Sequence, residues 1–342
     1  MFEITFLQGL WFILIGVLII GYFALDGFDL GAGVLYPFIA KDEREKAMVR
    51  RAVGPVWDGN EVWLLTAGGA LFAAFAPAYA TSFSGFYLAI MLVLFGLIAR
   101  AISLEFRAHD KAWTKIWDAF FFVGSLLPAL LLGVAVGNIV GGIELNPYGD
   151  YTGGFFALLD PFSLVCGLIG LSTMIALGAS WLCVKISEGE ALYGRAAKIR
   201  TIAAIVAVAL VAVASVMYCT RPDVLTVAPA NIIAIIGAVV AVIAYLGAIF
   251  LQKGKKDLAA HIVLSLSCAG LVIMAAAGIF PNIIPATDPA LSITIAAAAS
   301  SEYALTAMTI ITCIGLPLVL LYHVIIYRTF RGKITNEDLD EY

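Results

Sequence analysis

The stretch Gly54-Pro55-Val56-Trp57-Asp58-Gly59-Asn60-Glu61-Val62-Trp63-Leu64-Leu65-Thr66-Ala67-Gly68-Gly69-Ala70-Leu71-Phe72-Ala73-Ala74 decides how many times the chain crosses a membrane. From 54 to 78 it has spanning length, yet it opens with Asp58 and Glu61, and a hydropathy window alone would drop it. A spanning helix needs about 20 mostly apolar residues. Other runs meet that need plainly, at roughly 7–27, 82–104, 117–140, 161–184, 199–219, 230–251, 260–280 and 302–327.

Charge placement arbitrates, because cytoplasmic loops collect Lys and Arg. Lys41, Arg44, Lys46, Arg50 and Arg51 follow the first run. Arg107, Lys111 and Lys115 follow the 82–104 run, with Arg100 at its end. Lys185, Arg195, Lys198 and Arg200 follow the 161–184 run, Lys253, Lys255 and Lys256 the 230–251 run, and Arg328, Arg331 and Lys333 the last. If 54–78 spans, every basic residue but Arg221 lies on one side. If it does not, the first two basic clusters fall on opposite sides. The expectation is therefore nine transmembrane helices, with the N-terminus outside and the C-terminus cytoplasmic.

Composition agrees. Of 342 residues, 62% are hydrophobic and 13% charged, and the mean hydropathy is +1.01. A soluble chain is about half apolar, so a soluble enzyme is excluded. Nine helices consume roughly 180 residues, which leaves no room for a soluble domain of about 100. The fold class expected is all-α, a polytopic integral membrane protein forming a single domain over 1–342. The net charge of −4 and the scattered basic clusters give nucleic acid no footprint.

Cys166, Cys183, Cys219, Cys268 and Cys313 lie in apolar stretches and make neither CxxC nor CxxCH, so they read as small packing residues. The N-terminal run lacks a positive flank and a small-residue cleavage site, and it reads as an uncleaved first helix. Gly133, Gly137 and Gly141 recur at helical spacing and permit close helix contact. Pro128 and Pro317 fall inside spans. The outer loop 141–160 carries Glu144, Asp150 and Asp160 without Lys or Arg.

Carboxylates in or beside a span are costly and therefore candidates for function. Asp26 and Asp29, three apart, can share a helix face. They read either as hydrated acids at a glycine-ended helix terminus, or as groups held by protein, with Arg100 as a candidate partner for Asp29. Asp58 and Glu61 sit among Trp57, Asn60 and Trp63. One reading is a helix start whose dipole favours negative charge. The other is a proton relay near the cytoplasmic side, since desolvation favours the neutral carboxyl and lets it take up protons near neutral pH. Arg100 either snorkels to the interface or pairs with an acid. Asp118 and Glu302 read as helix-start charges, and Asn138 lies near an outer helix end. His109 is in a charged loop, while His261 and His323 lie near cytoplasmic helix ends. Two histidines at matching depth could in principle hold a haem, but these read as interface residues.

The motifs Asp26-Gly27-Phe28-Asp29-Leu30-Gly31-Ala32-Gly33 and Trp57-Asp58-Gly59-Asn60-Glu61-Val62-Trp63-Leu64 closely resemble subunit II of cytochrome bd-type quinol oxidases. The likeness continues through Thr66-Ala67-Gly68-Gly69-Ala70-Leu71-Phe72-Ala73-Ala74, Phe83-Ser84-Gly85-Phe86-Tyr87, Gly124-Ser125 and Gly133-Val134-Ala135-Val136-Gly137-Asn138, to the tail Gly332-Lys333-Ile334-Thr335. The resemblance implies a core of two nine-helix subunits in a bacterial cytoplasmic (inner) membrane. Subunit I carries haem b, haem d and the quinol site, and subunit II has lost the haem ligands. The complex oxidises quinol and reduces oxygen to water with cytoplasmic protons. A structural quinone, small single-span accessory subunits and membrane lipids are further partners the family implies.

Residue by residue, Asp58 matches the subunit II carboxylate of a cytoplasmic proton route. Trp63 matches a residue near lateral oxygen access in one branch. Asp29, Trp57 and Arg100 match positions tied to assembly or the subunit interface. Glu61 departs, since some members carry Gln there; it adds either a second relay group or only a hydrogen bond. Residues 295–301 also depart, being nearly all Ala and Ser where some members carry Trp-Asp. Two other classes compete. A proton-coupled transporter would suit acids in spans, but it would often bring inverted repeats and paired broken helices, which are not evident here. A pure assembly scaffold would use none of these acids for proton transfer.

Overall fold

The computed structural model describes residues 4–220 and 231–339. Arg221 and the first three residues, on which parts of the charge and N-terminal readings rest, lie outside the described residues. The protein is all-α in its main elements. These are α1 (Phe6–Ile39), α2 (Glu43–Val53), α3 (Trp57–Ala74), α4 (Ala76–Gly85), α5 (Tyr87–Phe106), α6 (Thr114–Gly141), α7 (Pro161–Lys185), α8 (Ala191–Cys219), α9 (Ile232–Lys253), α10 (Asp257–Ile279), α11 (Ile295–Ala298) and α12 (Glu302–Thr329). Among the described residues, eight helices are long and apolar enough to cross a membrane: α1, α5 to α10, and α12.

The first helix departs from expectation. Thr5 caps it, with Gln8 completing a reciprocal capping box, and it continues for 34 residues to Ile39. That is about 51 Å, well beyond a hydrocarbon core of about 30 Å. The glycines after Asp26 do not end the helix. Every residue from Asp26 to Tyr36 is buried, and the glycines are the contact surface. A Cβ on Gly31 would overlap the Met174 carbonyl of α7, and one on Gly178 would overlap the Ala32 nitrogen of α1. Close helix crossing outweighs a propensity penalty of about 1 kcal/mol per glycine.

The expected spans 54–78 and 82–104 resolve into three helices. α3 stops at Phe75, whose φ of −138° and ψ of 60° leave the helical region. Pro77 then sits in the first turn of α4, where its missing N–H costs nothing. A second break at Phe86 separates α4 from α5. The other spans appear as helices near their expected positions, with α8 starting earlier, at Ala191. Pro128 and Pro317 lie inside α6 and α12.

The basic segments gather at one end of the bundle, where ion pairs stitch them together. Lys46 of α2 meets Asp118 of α6 at 2.8 Å, and Arg107 after α5 bonds both Glu43 and Asp118. Arg44 pairs with Glu190 before α8, and Arg195 of α8 with Glu45. Lys255 pairs with Glu188, and Arg51 with Asp338 of the tail. Partial burial opposes ionisation of Glu43, yet hydrogen bonds from Arg107 and Lys46 hold its carboxyl below the ordinary range.

At the opposite end a small cap forms that hydropathy did not foreshadow. Residues β1 (Asn282–Ile284) and β2 (Ile293–Thr294) pair antiparallel. The Ile143 N–H donates to the Pro285 carbonyl at 3.1 Å, and Thr287 N–H donates back to Ile143 at 2.9 Å. Ile143, Leu145, Leu158, Ile284 and Ile295 are buried beneath it with Trp11 and Phe75.

Packing is uneven. α7 lies at the centre, against α1, α6, α8 and α10, and Gly133 and Gly137 of α6 back directly onto its Cys166 and Ser163. α12 is the opposite case: no residue of its most apolar 18-residue window is buried. Gly31→Ala forces the α1–α7 crossing apart. Its expected result is loss of folded protein from membranes, read as yield and monodispersity in detergent. Gly194→Ala, with no atom within 4 Å of the added carbon, should be neutral or up to about 1 kcal/mol stabilising.

Candidate functional site

The polar residues inside the bundle converge where α1, α3, α5 and α12 meet. α1 presents Tyr22, Asp26 and Asp29 at i, i+4 and i+7, which one helix face can carry. α3 contributes Asn60, Glu61 and Trp63, α5 contributes Arg100, and α12 contributes His323 and Tyr327 one turn apart.

Arg100 is fully buried and has two acidic partners. Its Nη1 lies 2.8 Å from Asp26 Oδ1, itself fully buried. Its Nη2 donates to Glu61 Oε1, on a side chain that remains one-quarter exposed. The guanidinium thus locks α5 to both α1 and α3. The snorkelling alternative for Arg100 is excluded, as is the hydrated-terminus reading of Asp26. The expected Asp29–Arg100 pair does not form either. Asp29 stands about 60° further around α1 and faces α3, where the Asn60 amide donates to its Oδ2 at 2.7 Å. Asn60 Oδ1 in turn accepts from the Tyr327 hydroxyl at 3.0 Å. These two bonds fix which end of the Asn60 amide points which way.

Trp63 is buried, and its indole N–H donates to His323 Nε2 at 3.1 Å. The other ring nitrogen, Nδ1, lies 2.9 Å from the Val319 carbonyl. With Nε2 accepting from Trp63, Nδ1 is the ring nitrogen that can donate to that carbonyl. Both ring nitrogens are thereby engaged. His261 is buried between other rings, 5.5 Å from Phe28 and 5.3 Å from Trp181 by centroid.

Of the two readings of Asp58, the helix start is the one found: it lies in the first turn of α3, and its side chain is on the surface of this chain rather than desolvated within it. It lies one turn before Glu61 on α3 and close to the unburied flank of α12, where the Tyr322 ring lies against Gly59. Trp57 is half-buried against the main core. The seven candidate residues therefore divide. Asp26, Glu61 and Arg100 form one cluster, Asp29 joins Asn60 and Tyr327, Trp63 joins His323, and Asp58 and Trp57 flank the group.

The secondary candidates also resolve. Asp118 is more than a helix-start charge, since it accepts from Tyr36, Lys46 and Arg107. Asn138 ties α6 to the segment before α7 by donating to the Leu158 carbonyl, and it also donates to Val134 of its own helix. At the start of α12 the cap is Ser301, which accepts from the Ala304 N–H, while Glu302 stays exposed. Sequence reasoning missed Tyr22, Tyr327 and the inward turn of His323. The available signal was spacing: Tyr22 stands one turn from Asp26, and Tyr327 one turn from His323.

Residues 7–330 match the family described as cytochrome bd terminal oxidase subunit II. The chain is 36% identical to a probable cytochrome oxidase subunit 2 of Haemophilus influenzae, over 100% of this chain and 98% of that one. It is 35% identical to the cytochrome bd-I ubiquinol oxidase subunit 2 of Escherichia coli K12, over 99% and 98%. It is 33% identical to the cytochrome bd ubiquinol oxidase subunit 2 of Bacillus subtilis, over 97% and 98%. The fold is shared with a chain of the bd oxidase of Geobacillus thermodenitrificans, with a TM-score of 0.78 at 16% identity, covering 95% of this chain and 99% of that one.

Arg100→Leu would strand the Asp26 carboxylate without its cation. Removing one member of a buried pair costs about 3–5 kcal/mol. A clear drop in the thermal unfolding midpoint in detergent is expected, together with loss of assembled haem from the complex. Normal haem spectra in that variant would contradict an anchoring role for the pair.

Proposed function

The chain belongs to the cytochrome bd terminal oxidase subunit II family, and from that premise we propose that it delivers protons to a haem-bearing partner while holding that partner in place. It is a multi-pass membrane subunit of a quinol:oxygen oxidoreductase. Family membership does not favour the free-standing transporter. The finer reading is a single integral membrane domain in the bacterial inner membrane, with nine crossings, N-terminus outside and C-terminus cytoplasmic. The ion pairs at the basic end support the count. Glu43 after α1 and Arg107 after α5 touch, which favours an even number of crossings between them, with α3 accompanying α5. Its 18 residues give about 27 Å.

The observation that carries the proton reading is the Asp26–Arg100–Glu61 cluster with Asp58 one turn away. Two carboxyl groups, on Asp26 and Glu61, face one guanidinium, while Asp29 is held aside by Asn60. Glu61 bridges inside and outside, being bonded to Arg100 and still partly exposed. Asp58 lies beyond it, on the flank where the partner would seat. A proton passing Glu61 would leave this chain at Asp58.

Subunit I would seat along α3 and α12. Asp58, Val62, Leu65, Gly69 and Phe72 form an exposed stripe on α3, and Ile311, Ile314, Leu318 and Leu321 are exposed on α12. Nothing lies within 4 Å of a carbon added to Gly69, and small residues let partner helices approach in lipid. Trp57 and Trp63 border this flank, as an interface contact or beside oxygen access. The family implies haem b and haem d in the complex. The residues here do not fit as axial ligands, since His323 uses both ring nitrogens and His261 is enclosed by Phe28 and Trp181. We therefore place the haems on subunit I. A structural quinone and small accessory subunits remain part of the proposal as family expectations.

Asp58→Asn and Glu61→Gln should each slow quinol-dependent oxygen uptake several-fold with haem content intact, since neither amide relays a proton and the glutamine keeps the hydrogen bond to Arg100. Oxygen uptake and haem spectra of the purified complex read both. Full turnover in Asp58→Asn would remove that residue from the route.

A further inference from the structure

α12 is poorly covered by the bundle, yet its inner end carries His323 and Tyr327, which bond Trp63 and Asn60 of α3. Behind that end runs the segment Gly332-Lys333-Ile334-Thr335, to which the oxidase reading gives no task. α12 stops at Thr329. Gly332 then takes a φ of +106°, a left-handed conformation that residues with a Cβ rarely adopt. The residues after it lie across the end of α7.

The contact falls where α7 needs donors. The last carbonyls of a helix have no intrahelical partner, and its C-terminus favours a cation. Lys333 Nζ donates to the carbonyls of Cys183 and Ile186, each at 2.8 Å. The Ile334 N–H donates to the Lys185 carbonyl at 2.8 Å, and the Ile334 side chain is buried in the main core. Lys185 reciprocates by donating to the Phe330 carbonyl. The rest of the tail is fixed to α2. Arg51 pairs with Asp338 and lies over the Phe330 ring, and Arg44 donates to Asn336. Asp338 also accepts from the Thr335 N–H and hydroxyl, which closes the segment on itself. Phe330 stands about one turn beyond Tyr327 and two beyond His323. An inner end held at Phe330 therefore fixes the depth and rotation of both side chains.

We propose that residues 330–339 form a clasp that positions the inner end of α12 against α3, with Lys333 and Ile334 as its positioning residues. Their bonds run to α7, away from the Asp26–Arg100–Glu61 cluster. They act through His323 and Tyr327, which keep Trp63 and Asn60 of α3 in place. The inference rests on the proton-delivery reading only for its effect on turnover.

The test uses the purified, haem-loaded two-subunit complex in detergent. Mass spectrometry follows amide hydrogen exchange, and an electrode follows oxygen uptake at saturating quinol. Three variants loosen the clasp by different routes. Lys333→Gln removes the cation, and Ile334→Ser removes the buried side chain. Gly332→Ala strains the turn through its φ alone, since nothing lies within 4 Å of the added carbon. Each should raise exchange several-fold across residues 319–329 while α9 and α10 keep wild-type protection. Each should also slow oxygen uptake with haem content intact. Lys333→Arg, which keeps the charge and its donors, should retain wild-type exchange and uptake. Lys333→Gln and Gly332→Ala leave the core untouched, so they decide the matter even if Ile334→Ser fails to fold. Wild-type exchange across 319–329 in those two variants would overturn the clasp. So would exchange raised equally in α9 and α10, or local opening with full oxygen uptake. Full turnover in Asp58→Asn would strike the proton route and leave the exchange result standing.

Discussion

A guanidinium with no access to water, held between two carboxylates from two other helices, is the constraint around which one side of this molecule is arranged. Moving a cation into a low-dielectric interior costs several kcal/mol even after relaxation, and only well-placed counter-charges offset it. Arg100 obtains them from Asp26 of α1 and Glu61 of α3. That requirement sets the rotation of α1 and the register of α3. A one-residue slip of α3 would turn Glu61 by about 100° and leave the arginine half-paired. It also bears on why α3, the most polar of the candidate crossings, holds its place. The Arg100–Glu61 ion pair supplies a lateral bond that does not depend on apolar contact.

The rest of the bundle relies on a different principle. Around α7 the helices pack by surface fit, with glycines at the crossings: Gly31 against Gly178, Gly96 against Gly124, and Gly237 against Gly270. Without a hydrophobic driving force between helices in lipid, close van der Waals contact is the available attraction. The two principles divide the molecule. The α6 to α10 side is self-sufficient, whereas the α3 and α12 side is held by a few polar bonds and leaves apolar surface uncovered. Trp11 donates to the Leu305 carbonyl, Trp63 to His323, and Tyr327 to Asn60. With the bond from Trp11 to the Thr309 hydroxyl, these attach α12 to α1 and α3.

The sequence revealed the helices more readily than their partners. Spanning runs are local, so α6 to α10 and α12 could be read from hydropathy, and the alternation of basic loops carried the parity argument. The glycine-rich text after Asp26 misled, because helix-ending propensity is local while the α7 backbone that occupies the glycine notch is some 140 residues away. The break at Phe75 was missed although Pro77 signalled it, because apolar text continued across it. Asp26, Glu61 and Arg100 were all legible as costly groups needing partners. Their assignment was not, because one chain's periodicity gives a face and not the neighbour that face meets. The motif's two acids were weighed together, as a helix start or as a relay, whereas Asp58 and Glu61 stand about 60° apart around the helix and divide between the two: Asp58 is exposed in the first turn and Glu61 is bonded to Arg100.

That same angular difference bears on how the acids share their work. Asp26 and Asp29 are also three apart, and they too diverge, one toward a cation and the other toward an amide. An acid paired with a buried arginine is committed, because changing its charge leaves the cation exposed to the cost it was placed there to offset. An acid held by Asn60 is less bound to one state, since an amide N–H bond to oxygen survives in either form. Asp26 is thus suited to fixing structure, and Asp29 tolerates either protonation state. Glu61 lies between these extremes: it shares the arginine with Asp26, yet it keeps contact with the outside. A carboxyl that changes charge during turnover needs both a neighbour that stabilises its anion and a path by which the proton leaves. Within this cluster Glu61 has both, and Asp58 stands one turn further along, at the uncovered flank. On the proposed route, position on the helix, more than residue type, separates the acid suited to anchoring from the one suited to exchange.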